Sequence, residues 1–85
     1  MDIRDFEWNA KVVEKVIRKH GVLPHEVEEI FQGRKKIRAH AGVYHALGRS
    51  KEGKYLFAVF RRKGDSVKII TARPMTESEK KLYRR

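Results

Sequence analysis

Arg73 ends a strand-like run, Val67–Ala72, just before Pro74 and a capping box in which Thr76 is followed three residues later by Glu79. The box opens the basic stretch Glu77–Arg84. A guanidinium at a strand end beside a helix N-terminus is placed to hold an anion, because its donors and the first amide N–H groups can point at one spot. Arg49 ends an earlier run, Val43–Arg49, and Tyr55 begins the next, Tyr55–Phe60. With simple antiparallel hairpins, Arg49 lies opposite Tyr55, and Tyr55 opposite Arg73. The expected row of two guanidiniums around an aromatic suits a phosphate and a stacked base. The alternative is two surface arginines covering a tyrosine with their stems. Leu47, Phe57 and Thr71 form the next expected row, then His45, Val59 and Ile69; both read as core.

The elements that must carry these residues change character along the chain. Asn9 is an N-cap for a helix over Ala10–His20, closed by Gly21, with Val12, Val13, Val16 and Ile17 as its apolar face. Trp8 reads as core packing, in staple contact with Val13. A second helix spans about Pro24–Gln32, with proline at its first position and Glu26, Glu28 and Glu29 where the helix dipole tolerates acids. From Arg34 the pattern turns to β. Lys36–His40 is a charged edge strand, followed by Val43–Arg49, Tyr55–Phe60 and Val67–Ala72, with Gly64-Asp65 as the last turn. The expectation is an α+β fold: two N-terminal helices, a four-stranded antiparallel sheet with the first helix on one face, and a C-terminal helix.

At 85 residues the chain is expected to form a single domain over 1–85. Its net charge of +10 is unevenly spread: residues 1–33 hold five Lys/Arg and seven Asp/Glu, residues 34–85 sixteen and four. That asymmetry favours a polyanionic partner; the bland reading is a generally basic surface. The longest apolar run is too short to span a membrane, and the first twenty residues lack the apolar stretch of a signal peptide. There is no cysteine, so disulfides and thiolate metal sites are excluded and a reducing cytoplasm is compatible. His20/His25 and His40/His45 carry no strong metal spacing, and no metal or other cofactor is expected. Glycine-rich phosphate loops, serine-hydrolase elbows and His-Glu-x-x-His are missing.

Phe6–Asn9, Arg18–Val22, Phe31, Ala46–Arg49, Gly53, Tyr55–Phe60, Ile69–Arg73, Glu79 and Tyr83 follow one another over nearly the whole chain. In that order they resemble the BrnT-type toxins of bacterial type II toxin–antitoxin systems. The resemblance implies a RelE-like ribonuclease fold and RNA cleavage that arrests translation. It also implies a cognate ribbon-helix-helix antitoxin, through which a higher-order complex binds operator DNA. By match of position, Lys19, His20, Arg49, Arg73, Glu79 and Tyr83 inherit the family's pattern. The chain departs from it at Asn9, Val16 and Pro24, where the family usually has Asp, Asn and an aromatic.

Metal-free RNA cleavage needs a base for the ribose 2′-OH, positive charge on the transition state and an acid for the 5′-oxygen. Arg49 and Arg73 fit the charge role. His20, at a helix C-terminus, is either an acid or a cap on the last carbonyls. Lys19 is either a base or phosphate contact, or a solvated lysine. Tyr55, Arg61 and Arg62 are candidate RNA contacts; Tyr83 either stacks a base or packs the last helix. A toxin endoribonuclease is the leading function. A non-catalytic basic nucleic-acid-binding module and a domain that receives an acidic partner are the alternatives.

Overall fold

A computed structural model describes residues 5–85; Met1–Arg4 of the expected domain lie outside the described residues. The elements run β1 Asp5–Glu7, α1 Ala10–His20, α2 Pro24–Ile30, β2 Lys35–His40, β3 Val43–Arg49, β4 Tyr55–Lys63, β5 Ser66–Pro74 and α3 Glu77–Arg84. Asn9 caps α1, its Oδ1 accepting from the Lys11 N–H at 2.8 Å, and Gly21 ends it at φ 64°, where a Cβ would be strained. Val16 is buried beneath α1, while Ile17 is 41% exposed, so the apolar face is narrower than the four-residue stripe expected. Helix α2 stops at Ile30, two residues short of the expected end.

The sheet corrects the four-stranded antiparallel expectation. Among the described residues it has five strands in the order β1-β5-β4-β3-β2, with β1 parallel to β5 and every other pair antiparallel. Three residues of β1 are too few to show alternation, so sequence periodicity misses the strand. Strand β2 is one edge, as its charges suggested, and β1 is the other.

A second correction concerns register. Arg49 pairs with Tyr55 as expected. Arg73, however, pairs with Phe57, and Tyr55 instead accepts a bond from the Met75 N–H at 3.0 Å. The turn is the two-residue Gly64-Asp65 loop closed by Lys63 and Ser66, and the register shifts again at Val59/Phe60. The net displacement is two residues, so Arg73 keeps its face and moves one row inward. The rows are therefore Leu47, Phe57, Arg73 and His45, Val59, Thr71. Ile69, paired with Phe60, goes to the opposite face.

Two cores result. The larger lies under α1 and α2, where Val16, Val27 and Ile30 meet Phe60, Val67 and Ile69. Gly48 allows this approach, because a Cβ there would stand 2.6 Å from the Ile30 Cβ. The smaller core, Leu47, Phe57, Met75 and Tyr83, joins α3 to the other face. The three acids of α2 do structural work. Glu26, 2% exposed, accepts from the Leu23 N–H at 2.9 Å and pairs with Lys54 at 2.7 Å. Glu28 accepts from Trp8 Nε1 at 2.8 Å, and Glu29 from the Lys51 N–H at 3.1 Å.

Candidate nucleic-acid interface

Helix α3 lies across one end of the sheet and is held at both ends. At its start the Thr76 hydroxyl accepts from the Glu79 N–H at 3.2 Å, and Glu79 accepts from the Thr76 N–H at 2.9 Å. Glu79 also takes a two-pronged bond from Arg73, at 2.8 and 2.9 Å. At its end, Arg34 Nη2 donates to the carbonyls of Tyr83 at 2.8 Å and Arg85 at 2.9 Å, and Lys36 donates to that of Leu82. Cations on the last carbonyls satisfy groups that the helix leaves open. Tyr83, 6% exposed, donates its hydroxyl to the Arg34 carbonyl at 2.9 Å and has the Arg34 guanidinium 5.1 Å from its ring. This placement makes Tyr83 an anchor for α3.

Residues three and four apart share a helix face, so α3 divides the sheet end into two flanks. Lys80 and Arg84 turn toward Tyr55, their charged ends 5.9 and 5.1 Å from its ring centroid, and Arg49 approaches to 5.3 Å. Gly53, at φ 94°, makes room for the Arg49 guanidinium; a Cβ would stand 3.1 Å from it. A cleft of about 350 Å³ runs from this cluster to the end of α1, lined by His20, Lys54, Tyr55 and Lys80. A hydrogen bond from Arg84, with added pull from Arg49 and Lys80, draws the Tyr55 phenol below the usual tyrosine range despite its desolvation.

On the other flank, Glu79 and Leu82 overlook a groove of about 480 Å³ across β2, β3 and β4, where Arg38, His45 and Phe57 lie. The Arg73 guanidinium sits at its edge, 4.2 Å above the Phe57 ring. Glu79 holds Arg73 protonated even more firmly than an ordinary arginine, and Arg73 holds the Glu79 carboxyl below the usual carboxylate range. Strand alternation puts Lys36, Arg38 and His40 of β2, Arg61 of β4 and Lys68 of β5 on this same side of the sheet.

The expected residues are thus divided. Arg49, Tyr55 and His20 share the first flank, while Arg73 stands on the second, with α3 between. Lys19 is exposed next to His20 and does not line the cleft. Arg61 extends the open face. Arg62 is paired with buried Val67, so it belongs to the opposite face, and its Nε clamps the turn through the Gly64 carbonyl at 2.9 Å. His45, expected in the core, is half-buried at the groove. Sequence reading also misses Arg38, Lys80 and Arg84. The period-two spacing of Lys36, Arg38 and His40 carried the signal for the open face, although edge protection explained the same charges. Among the described residues, no group of three or more His, Asp or Glu is placed to hold a metal ion.

A small α+β domain with helices on both sides of a mixed sheet, and cations concentrated around one helix, is built to meet a polyanion. The chain belongs to the family described as the ribonuclease toxin, BrnT, of type II toxin–antitoxin systems, whose model matches residues 8–79. The crystal structure of the Brucella abortus ribonuclease toxin, BrnT, is similar to it in fold. The TM-score is 0.69 at 18% identity, over 87% of this chain and 100% of the Brucella chain. No curated protein matches the chain significantly in sequence. The family match ends at Glu79, so Lys80 and Arg84 lie outside it.

Proposed function

We propose that this chain is the toxin of a type II pair, acting in the cytoplasm as an endoribonuclease that needs only its own side chains and arrests translation. The observation that carries the proposal is the charge on the α3 side of the sheet. Arg38, Arg49, Arg61, Lys68, Arg73, Lys80 and Arg84 gather there, while Glu79, the one acid lining the groove among the described residues, is already paired with Arg73. Such a surface suits the phosphates of single-stranded RNA, and Tyr55 offers a ring among the cations. In this reading Arg73 stabilises charge on the scissile phosphate, while Arg49, His20 and Lys19, on the other flank of α3, hold a neighbouring phosphate of the same strand.

The partner we propose is a cognate antitoxin of the ribbon-helix-helix class, which masks the cationic face with acidic residues and binds operator DNA for the complex. One observation favours a second reading: the Arg73 fork is already occupied by Glu79, so the face would hold RNA or antitoxin without cutting. Induced expression in a bacterial host, with and without an adjacent antitoxin-like frame, tests the toxin proposal. Growth arrest relieved by the second frame, with cleaved transcripts, supports it. Unimpaired growth contradicts it. RNA binding that weakens steeply with salt, with no cleavage, supports the second reading.

A further inference from the structure

We propose that the groove on the open side of α3 is where the RNA strand is cut, with His45 as the catalytic proton-transfer residue and Arg38 and Arg73 as the groups that hold the scissile phosphate. This rests on the ribonuclease reading and deepens it by naming the place and the base. The Phe57 ring is the platform that joins the parts. His45 meets it edge-on, with centroids 5.2 Å apart and planes at 74°, and Arg73 lies 4.2 Å above it. Arg38 is the cross-strand partner of His45 on β2. An imidazole and a guanidinium thus line one groove of about 480 Å³, a volume typical of small-molecule sites, and a second guanidinium, from a third strand, sits against its Phe57 and Glu79.

The apolar floor of Leu47 and Phe57, with Leu82 of α3 above it, offers a base its place, and the cationic rim offers the phosphate its own. Lys36 lines the groove with His45, its ammonium donating to the Leu82 carbonyl. Arg38 and His40, whose ring centroid is 5.2 Å away, come from β2. Val59 and Phe57 of β4 are neutral, and Arg73 stands beyond them on β5. From α3 comes Glu79, already bound to Arg73. Neither ring nitrogen of His45 has a protein partner among the described residues, and neither is sealed from solvent.

In the step assigned here, neutral His45 takes the proton of the ribose 2′-OH. The 2′-oxygen forms a bond to phosphorus as the bond from phosphorus to the 5′-oxygen breaks. The departing oxygen keeps the electron pair and takes a proton from water, and the hydroxide so formed is neutralised by protonated His45. The products are a 2′,3′-cyclic phosphate and a 5′-hydroxyl. Imidazole is suited to this because one ring can both take up a proton and return it.

The test compares the full-length wild type with His45→Asn and Arg38→Gln on a single-stranded oligoribonucleotide and on its uncleavable 2′-O-methyl analogue. His45→Asn should cut at least a hundredfold more slowly, with analogue binding within twofold and melting unchanged. Arg38→Gln should bind the analogue less tightly and with a shallower salt dependence. Wild-type cleavage by His45→Asn overturns the assignment. Should that variant fail to fold, nuclear magnetic resonance of the wild-type imidazoles during titration with the analogue decides: movement of the His45 resonances supports the site, and their constancy overturns it. A wild type that cuts no RNA at all refutes the ribonuclease reading instead. The same titration then still decides whether RNA enters the groove.

Discussion

Replacing Glu79 with glutamine removes one negative charge from the clasp that joins α3 to β5, and the consequence follows from the geometry. Oε1 accepts from Arg73 and from the Thr76 N–H, and Oε2 accepts from Arg73 again. The amide oxygen of glutamine can keep the capping bond but cannot serve both prongs of the guanidinium. The side chains are 34% and 21% exposed, so solvent screens the pair in part. A charge-assisted bond contributes about 1.5–3 kcal/mol and an exposed pair about 0–1. This clasp therefore contributes about 1–1.5 kcal/mol, which lowers the melting temperature by roughly 5–10 °C. The hydrogen bond from Arg73 is the largest cause of the lowered Glu79 pKa. A depressed carboxylate contributes stability that is present above its unfolded value, about 4.3, and is lost as pH falls through its folded value. Thermal melts of wild type and Glu79→Gln should differ most near neutral pH and converge in strong acid. The double variant with Arg73→Ala should melt little below Arg73→Ala itself. A difference that persists at all pH values, or full additivity with Arg73→Ala, would refute the reasoning.

Gly48→Ala should destabilise the fold by about 1–3 kcal/mol, because the new methyl would collide with the Cβ of Ile30 in α2. Thermal unfolding checks it, and an unchanged melting temperature would show that α2 yields freely. The Tyr55 phenol should ionise below the usual tyrosine range, and Arg84→Gln should move that transition upward. Ultraviolet titration against Tyr55→Phe identifies it among the three tyrosines; a transition indifferent to Arg84 would count against the cluster.

Much of the scaffold was legible because it rests on local chemistry. Asn9 and Gly21 bracket α1, Thr76 and Glu79 open α3, and the paired runs around Gly64-Asp65 form a hairpin. The parallel β1 was not legible, since three residues beside a distant strand carry no periodic signal. Nor were the two one-residue shifts, at the tight turn and at Val59/Phe60, which together move Arg73 from the end row to the row of Phe57. Together they matter for the site: they put Arg73 and Arg49 on opposite flanks of α3 and seat Arg73 over the Phe57 ring that His45 also meets. His45 read as core because its row looked apolar, and only the position of α3 shows that the row stays open. Lys80 and Arg84 looked like the solvated face of a basic helix, and nothing in the sequence told which side of α3 would meet Tyr55.

Cleavage of single-stranded RNA by the purified full chain tests the central claim most directly, with Arg73→Ala and Arg18→Ala measured beside the wild type. Arg18 is exposed on α1 and lines neither the cleft nor the groove, with Glu14 as its ion-pair partner at 3.2 Å. Wild type and Arg18→Ala should cut alike. Arg73→Ala should lose about 2–4 kcal/mol of transition-state stabilisation, a hundredfold or more in rate, while remaining folded. A wild type that leaves RNA intact, or an Arg73→Ala variant that cuts as fast as Arg18→Ala, would contradict the account.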